Sequence, residues 1–226
     1  YTQCTGLDIH PVTQELYAVC NIMETNGVPN TKGDPFQTML LTLDKNTGQP
    51  TEIGPIEIPR EDFVSDISFR SDGTLFAHIN GLNIAAKEAT TKGESANSLA
   101  IIDTQNGNTT IVGPTGVEDF WSAIGFTPPD NLIQCTDNDG FPGMVNILNQ
   151  ATGHATFLEN LIYPPEFDGF VQIMSKDFDL ASGQFIATLF SQGKCCDEIL
   201  TTNSHLPTGS YLVSINPQNG AISYIG

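Results

Sequence analysis

Acidic side chains stand just before three predicted strands, where they could bind a metal ion. The pattern is Glu61-Asp62-Phe63, Glu118-Asp119-Phe120 and, more loosely, Glu166-Phe167-Asp168. If related sheets bring Asp62, Asp119 and Asp168 together, their mutual repulsion favours a bound divalent cation such as Ca²⁺. Calcium usually takes about six to eight oxygen ligands, so backbone carbonyls and water would complete the set. The alternative is that these acids are solvated and that the neighbouring phenylalanines anchor the loops by packing.

Five cysteines could form crosslinks. They are Cys4, Cys20, Cys135, Cys195 and Cys196, and none of them has CxxC spacing, so zinc or thioredoxin-type chemistry has little support. Cys4 can pair with Cys20 across the first predicted hairpin, or with Cys195 or Cys196, which would tie the first repeat to the last. An odd cysteine remains, and we predict that it is Cys135, buried and free; a bond to another chain is the alternative. Disulfides indicate an oxidising compartment.

The residues that usually carry catalysis do not converge. The four histidines, His10, His78, His154 and His205, fall on unlike elements of the predicted repeat. The sequence has no nucleophile elbow and no glycine-rich phosphate loop. We therefore predict no catalytic residue. Asn108-Thr109-Thr110 is the one N-glycosylation sequon, and Asn108 is a glycosylation candidate.

The element that would position these residues is a hairpin phrase that occurs four times. Leu or Ile is followed by Asp or Asn, three variable residues and Gly, as in Leu43 to Gly48, Ile102 to Gly107, Leu148 to Gly153 and Ile215 to Gly220. The Asp or Asn side chain can cap the turn, and the glycine accepts the positive φ that closes it. A β-rich run follows each glycine, which predicts the two outer strands of a sheet.

A second hairpin precedes each of these, for example Ile67 to Gly73 followed by Leu75 to His78. Two hairpins in series form a four-stranded meander with the period of a propeller blade. The sequence therefore predicts an all-β fold, a four-bladed β-propeller of four-stranded antiparallel blades, in a single domain over 1–226. The blades fall near 1–60, 61–116, 117–166 and 167–226. A β-sandwich with coincidental turns is the alternative.

On these motifs the chain resembles divergent bacterial surface β-propeller repeats, in which a strand ends in (L/I)D-x-x-T/N-G and x-x-T-x-I/V-G follows. The resemblance covers the whole chain and implies architecture, with no activity attached. Propellers of this general kind include binding scaffolds, lactonase-like hydrolases and modules of adhesins or surface fibres.

The composition of the chain limits the classes of molecule that it is expected to bind. Eight Lys and Arg stand against 26 Asp and Glu, for a net charge of −18, which opposes binding to nucleic acid and to anionic membranes. No apolar stretch is long enough to span a bilayer. The first residues lack an initiator Met and a signal peptide, so we expect a processed or excised form.

The predicted function depends on the lack of a signal peptide, the lack of a catalytic cluster and the presence of three long polar loops. These loops are Asn21 to Gln37, Gly81 to Asn97 and Ser191 to Gly209. Such loops on a rigid scaffold suit a protein or glycan partner, or packing between subunits. We expect a secreted or cell-surface, non-enzymatic propeller that serves as a binding or assembly module of a surface protein or fibre, able to form an oligomer or filament. The alternative is a metal-dependent, lactonase-like hydrolase that uses the three aspartates. A part of a larger propeller is a third possibility.

Overall fold

The structure is a computed structural model. It describes residues 3–22, 37–58, 62–81, 97–117, 122–136, 143–165, 171–191 and 209–226. In these ranges the chain consists of strands and turns and contains no helix that could cross a bilayer.

The described residues form sixteen strands in four sheets, each sheet made from four consecutive strands. The first sheet contains β1 (Gln3–Ile9), β2 (Leu16–Ile22), β3 (Gln37–Leu43) and β4 (Pro50–Pro55). The second contains β5 (Phe63–Phe69), β6 (Leu75–Asn80), β7 (Ser98–Ile102) and β8 (Thr109–Pro114). The third contains β9 (Ser122–Thr127), β10 (Asn131–Thr136), β11 (Met144–Leu148) and β12 (Ala155–Asn160). The fourth contains β13 (Val171–Asp179), β14 (Gln184–Ser191), β15 (Gly209–Ile215) and β16 (Ile222–Tyr224).

Each sheet is a meander in which neighbours in sequence are neighbours in space. The fold class is the predicted one: all-β, with the four-stranded antiparallel sheets of a four-bladed β-propeller. Among the sixteen described strands, none is exchanged between sheets. The expectation of a single domain stays a prediction.

The chain divides into two compact units. Unit 1 comprises 1–118 together with the turn 149–155, and unit 2 comprises 119–148 and 156–226. In unit 1, a core that includes Val19, Leu40 and Ile67 lies between the first and second sheets. In unit 2, a core that includes Ile173, Phe185 and Val213 lies between the third and fourth sheets. In both units the apolar sheet faces are buried against each other, and this burial is the main stabilising contribution.

The recurrent turn has the predicted geometry. Asp44 accepts backbone hydrogen bonds from Asn46 at 2.9 Å and Thr47 at 2.8 Å. The Thr47 N–H, and to a lesser extent the Asn46 N–H, hold the pKa of the Asp44 carboxyl below its usual value. The glycine that ends each phrase has a positive φ: 72° at Gly48, 80° at Gly107, 80° at Gly153 and 68° at Gly220. The side-chain cap and the glycine together close each outer hairpin.

Candidate binding surfaces and buried polar groups

The predicted metal site is only partly within the described residues. Asp62 lies just before β5, half-buried, and it takes part in an interaction there. Asp119 and Asp168 lie outside the described residues. The described ranges contain no group of three His, Cys, Asp or Glu side chains that could hold a metal ion. The calcium site stays a prediction.

The long loops are described at their bases only, because 23–36, 82–96 and 192–208 lie outside the described residues. Asparagine side chains form hydrogen bonds at the bases of two of these loops. Asn21 accepts a hydrogen bond from the Thr38 hydroxyl at 3.0 Å. The Asn97 side-chain oxygen accepts the Gly81 N–H at 3.1 Å, and the side-chain NH₂ group donates to the Val117 carbonyl at 3.2 Å. Two loops are therefore anchored at their ends by side chains that the sequence analysis did not single out.

Cys4 and Cys20 form a disulfide, which decides between the two predicted pairings of Cys4. The two residues are opposite each other in the β1–β2 register, with their Cα atoms 3.9 Å apart. The proposed bond from Cys4 to Cys195 or Cys196 is therefore wrong, because the cross-strand neighbour already occupies the Cys4 sulfur. Cys195 and Cys196 lie outside the described residues.

Cys135 is a free, fully buried thiol, as predicted. Burial raises its pKa, and the nearby positive charge of Lys176 opposes part of that rise. The Lys176 ammonium donates to the Ile133 carbonyl at 2.9 Å and lies 3.6 Å from the centre of the Phe185 ring. The Lys176 head group is therefore held inside unit 2 by a hydrogen bond and a cation–π contact. The sequence analysis did not predict a buried Lys176. Its burial follows from its position on the inner strand β13, which its residue type does not indicate.

A serine–histidine pair is buried in the second sheet. The Ser65 hydroxyl lies 2.8 Å from Nδ1 of His78, and the His78 ring is wholly inaccessible to solvent. Burial lowers the pKa of His78 to about 3, so the ring is neutral at ordinary pH. A pair without solvent access cannot reach a substrate, and it satisfies polar groups inside the sheet.

The other histidines do not gather around this pair. His10 lies in the β1–β2 turn, where Nδ1 accepts the Val12 and Thr13 N–H groups, both at 3.2 Å. His154 is exposed in the 149–155 turn, and His205 lies outside the described residues. His10, His78 and His154 lie on different elements, and the expectation that no residue is catalytic stays a prediction.

Asp8 joins the inner strands of the first two sheets. One carboxylate oxygen accepts the N–H of the next residue, Ile9, at 2.6 Å, and the other accepts the N–H of Phe69 on β5 at 2.6 Å. The Thr5 hydroxyl adds a 2.6 Å bond to the Val64 carbonyl. We call this set of bonds the inner joint. A carboxylate that accepts two backbone N–H groups is a strong, charge-assisted link.

A second contact, the outer joint, lies at the outer edge of the sheets. There the end of one sheet's last strand packs on the turn glycine of the next sheet. A Cβ atom added to Gly107 would lie 2.6 Å from the carbonyl oxygen of Pro55 and 2.9 Å from that of Gly54. Real Cβ atoms do not approach backbone this closely, so the position admits glycine alone.

The outer joint recurs twice more. Within unit 1, a Cβ on Gly153 would overlap the Gly113 carbonyl. Within unit 2, a Cβ on Gly220 would overlap the Asn160 carbonyl. Hydrogen bonds accompany this last joint, from Ile162 to the Gly220 carbonyl at 2.8 Å and from Ile222 to the Ile162 carbonyl at 3.0 Å. The turn phrase therefore serves both to reverse the chain and to receive the preceding sheet.

Large apolar side chains are exposed on the outer strands of unit 2. On β12 these are Phe157 and Leu158, and at β16 they are Tyr224 and Ile225. These two strands are the outer strands of the third and fourth sheets, and exposed apolar side chains of this kind can serve in contacts with other molecules. The sequence analysis placed recognition on the long loops and did not identify these strands.

Asn108 is exposed in the turn between β7 and β8, where its N–H donates to the Asn106 side chain at 2.8 Å. Glycosylation there stays a prediction.

Comparisons with known proteins identify the fold but do not assign the chain to a family. No protein family matches the chain, and no curated protein is similar to it in sequence. Solved structures are similar in fold. A protein of unknown function from Dyadobacter fermentans matches at 12% identity with a TM-score of 0.56, over 94% of this chain and 60% of its own. TolB from Acinetobacter baumannii matches at 12% identity with a TM-score of 0.52, over 98% of this chain and 43% of its own.

The chain has a β-propeller fold. An enzyme is among the similar structures, a GH43 β-1,3-galactosidase at 11% identity and a TM-score of 0.54, over 93% of this chain and 71% of its own. At such identities the likeness concerns the fold alone. The chain spans less than two thirds of TolB and of the Dyadobacter protein. The resemblance to bacterial surface repeats therefore holds at the level of the propeller fold.

Proposed function

We propose that the protein is a non-enzymatic propeller that acts outside the cell as a binding or assembly module of a surface protein or fibre. The observation that supports this best is how unit 2 distributes its groups. Among its described residues, Lys176 and Cys135 are buried in the core, whereas Phe157, Leu158 and Tyr224 face solvent. This distribution favours a surface that offers apolar contact area to a partner.

The compartment is argued from covalent chemistry and charge. A disulfide between Cys4 and Cys20 persists in oxidising surroundings. The net charge of −18 keeps such a protein soluble at moderate salt and directs it away from nucleic acid and anionic lipid. Both features suit a secreted or surface location.

Labelling of intact and lysed source cells with an antibody tests the compartment. We expect intact cells to be labelled as strongly as lysed ones, with loss of the signal after protease treatment. Labelling that requires lysis would overturn the proposal.

A second experiment tests binding through the outer strands of unit 2. Purified, fluorescently labelled protein is titrated onto intact source cells, alongside the double variant Phe157→Ser/Leu158→Ser. Ile111→Ser is the matched control, because Ile111 is an exposed apolar residue on an outer strand of unit 1. We expect saturable binding that the double variant weakens about tenfold and the control leaves unchanged. If the double variant binds the cells as strongly as the wild type, these strands do not form the binding surface.

The alternative, a metal-dependent hydrolase, rests on Asp62, Asp119 and Asp168. Elemental analysis of the purified protein, with melting measured before and after chelation, separates the two functions. We expect no stoichiometric divalent ion and an unchanged melting temperature. A stoichiometric ion, with ester or lactone hydrolysis lost on chelation and in Asp62→Asn, would establish the hydrolase. Asp103→Asn should retain the activity, because Asp103 caps an exposed turn of the second sheet.

A further inference from the structure

Asn108 ends the turn that joins β7 and β8, and the proposed function does not use it. Two backbone hydrogen bonds close this turn: the Gly107 N–H donates to the Asp103 carbonyl at 2.8 Å, and the Asp103 N–H donates to the Asn108 carbonyl at 2.8 Å. Gly107 is buried beneath the end of the first sheet, as part of the outer joint. The turn is therefore held by its own bonds and by the neighbouring sheet.

The two asparagines of this turn differ in what their side chains bind. Asn106 uses both ends of its amide, because the nitrogen donates to the Asp103 carboxylate at 2.9 Å and the oxygen accepts the Asn108 N–H at 2.8 Å. The Asn108 side chain is exposed and forms no hydrogen bond with the other described residues. Of the two amides, that of Asn108 is the one that a reacting molecule can approach.

Thr110 completes the Asn-X-Thr pattern that N-glycosylating enzymes recognise. Asn108 and Thr110 are both exposed, whereas Thr109 between them is half-buried and donates its hydroxyl to the Gly107 carbonyl at 3.3 Å. This alternation is the one expected where a strand begins. The two side chains that define the sequon are therefore presented to solvent together.

The three related turns show which feature is particular to the second sheet. In each of them a hydroxyl residue lies three positions after the turn glycine, as Thr110 does after Gly107: Thr51, Thr156 and Ser223. The residue directly after the glycine is not asparagine in these turns: Gln49, His154 and Ala221. The hydroxyl therefore belongs to the repeat, and Asn108 is what turns this copy into a sequon.

We infer that Asn108 carries an N-linked oligosaccharide, attached while the chain is exported. The donor is an oligosaccharide joined to a lipid carrier through a pyrophosphate. In the transfer, the Asn108 amide nitrogen loses a proton and forms a bond with the first carbon of the sugar. The bond between that carbon and the pyrophosphate breaks, and the lipid pyrophosphate leaves. This inference rests on the proposed extracellular location, because the transfer accompanies export.

The position also determines what the glycan does. A linked oligosaccharide is bulky and hydrated, so it must project into solvent. It would lie at the start of β8, the outer strand of the second sheet, where Ile111 is exposed. Sugar at this position covers part of an open sheet edge and opposes contacts there. Phe157 and Leu158 on β12 have no sequon beside them and stay uncovered.

Mass spectrometry of the protein isolated from its source cells tests the inference. Peptide N-glycosidase cleaves the bond between sugar and amide and leaves aspartate where the glycosylated asparagine stood. We expect the peptide that contains Asn108 to carry sugar before this treatment and to contain aspartate at that position afterwards. An unmodified Asn108 in the untreated protein would overturn the inference.

The two threonines provide matched variants, produced in the source cells. Thr110→Ala removes the sequon and Thr109→Ala keeps it, while each removes one hydroxyl group from β8. We expect Thr110→Ala to lose the glycan and Thr109→Ala to retain it. Thr110→Ser keeps the hydroxyl and should be glycosylated, which separates loss of the sequon from a failure to fold. Equal glycosylation of the two alanine variants would overturn the inference.

A third variant creates a second sequon at the related turn of the third sheet. His154 is exposed, and its carbonyl accepts the Asn149 N–H at 2.9 Å, as the Asn108 carbonyl accepts that of Asp103. Because Thr156 follows, His154→Asn completes the pattern. We expect this variant to carry two glycans. A glycan at position 154 with none at Asn108 would overturn the inference, because the enzyme would then have met the chain and left Asn108 unmodified.

Failure of this inference and failure of the proposed function give different results. Labelling of intact cells together with an unmodified Asn108 would retain the extracellular location and overturn the glycan. Labelling that requires lysis would overturn both, because the transfer depends on export.

Discussion

The turns at Gly48 and Gly107 have the same sequence pattern and different surroundings. Gly48 donates to the Asp44 carbonyl at 2.7 Å and Gly107 to the Asp103 carbonyl at 2.8 Å, and both have a positive φ. Gly107 is buried under the preceding strand, whereas Gly48 faces open space. The local motif therefore determines the turn, and the neighbouring sheet determines whether that turn becomes a joint.

The largest predicted difference is between alanine at these two positions. Positive φ costs a non-glycine residue about 1 kcal/mol at either site. At Gly107 the methyl group also meets two backbone carbonyl oxygens that cannot rotate away. We expect Gly107→Ala to lower the free energy of unfolding by about 3 kcal/mol and Gly48→Ala by about 1 kcal/mol. Urea denaturation at low protein concentration measures both, and equal losses would refute the outer joint.

The second prediction uses His78, whose register position in the first sheet is taken by Val19. The folded-state pKa of His78 is about 3, below the unfolded value of 6.5. The unfolded chain therefore binds the proton first, and stability declines as the pH falls from 6.5 towards 3. The decline from this group should reach about 2 kcal/mol at pH 5.

The matching variants isolate this effect from the titrating carboxylates. The difference between wild type and His78→Val in unfolding free energy should change with pH as just described. His154→Gln, at an exposed site, should follow the wild type. A difference that does not vary with pH would mean that His78 is accessible to protons in the folded state.

The smallest predicted difference is between Asp8→Ala and Asp177→Ala. Both lose a bond to the next N–H, but only Asp8 also bonds Phe69 in the neighbouring sheet. We expect Asp8→Ala to destabilise the chain by about 1.5 kcal/mol more than Asp177→Ala. Thermal and urea denaturation measure the difference, and a larger loss in Asp177→Ala would contradict the inner joint.

The sequence predicted the strands and turns well, because period-two patterns and an Asp-to-Gly turn phrase are local signals. It also placed Cys4 opposite Cys20 and Cys135 in a core. It did not reveal the outer joint, because a glycine required for positive φ and one required for close approach look identical in a sequence. Nor did it reveal Lys176 in a core or His78 beside Ser65, whose partners come from other strands.

Amide hydrogen exchange at the four turn glycines, Gly48, Gly107, Gly153 and Gly220, tests the central claim most directly. All four N–H groups donate to the first residue of their own turn, at 2.7 to 2.9 Å, so the local bond is the same. At a concentration where the chain has the mass of one copy, we predict that Gly107, Gly153 and Gly220 exchange about tenfold more slowly than Gly48, or slower still. Equal exchange at all four positions would contradict the account, because it would mean that no turn glycine is covered by the end of the preceding sheet.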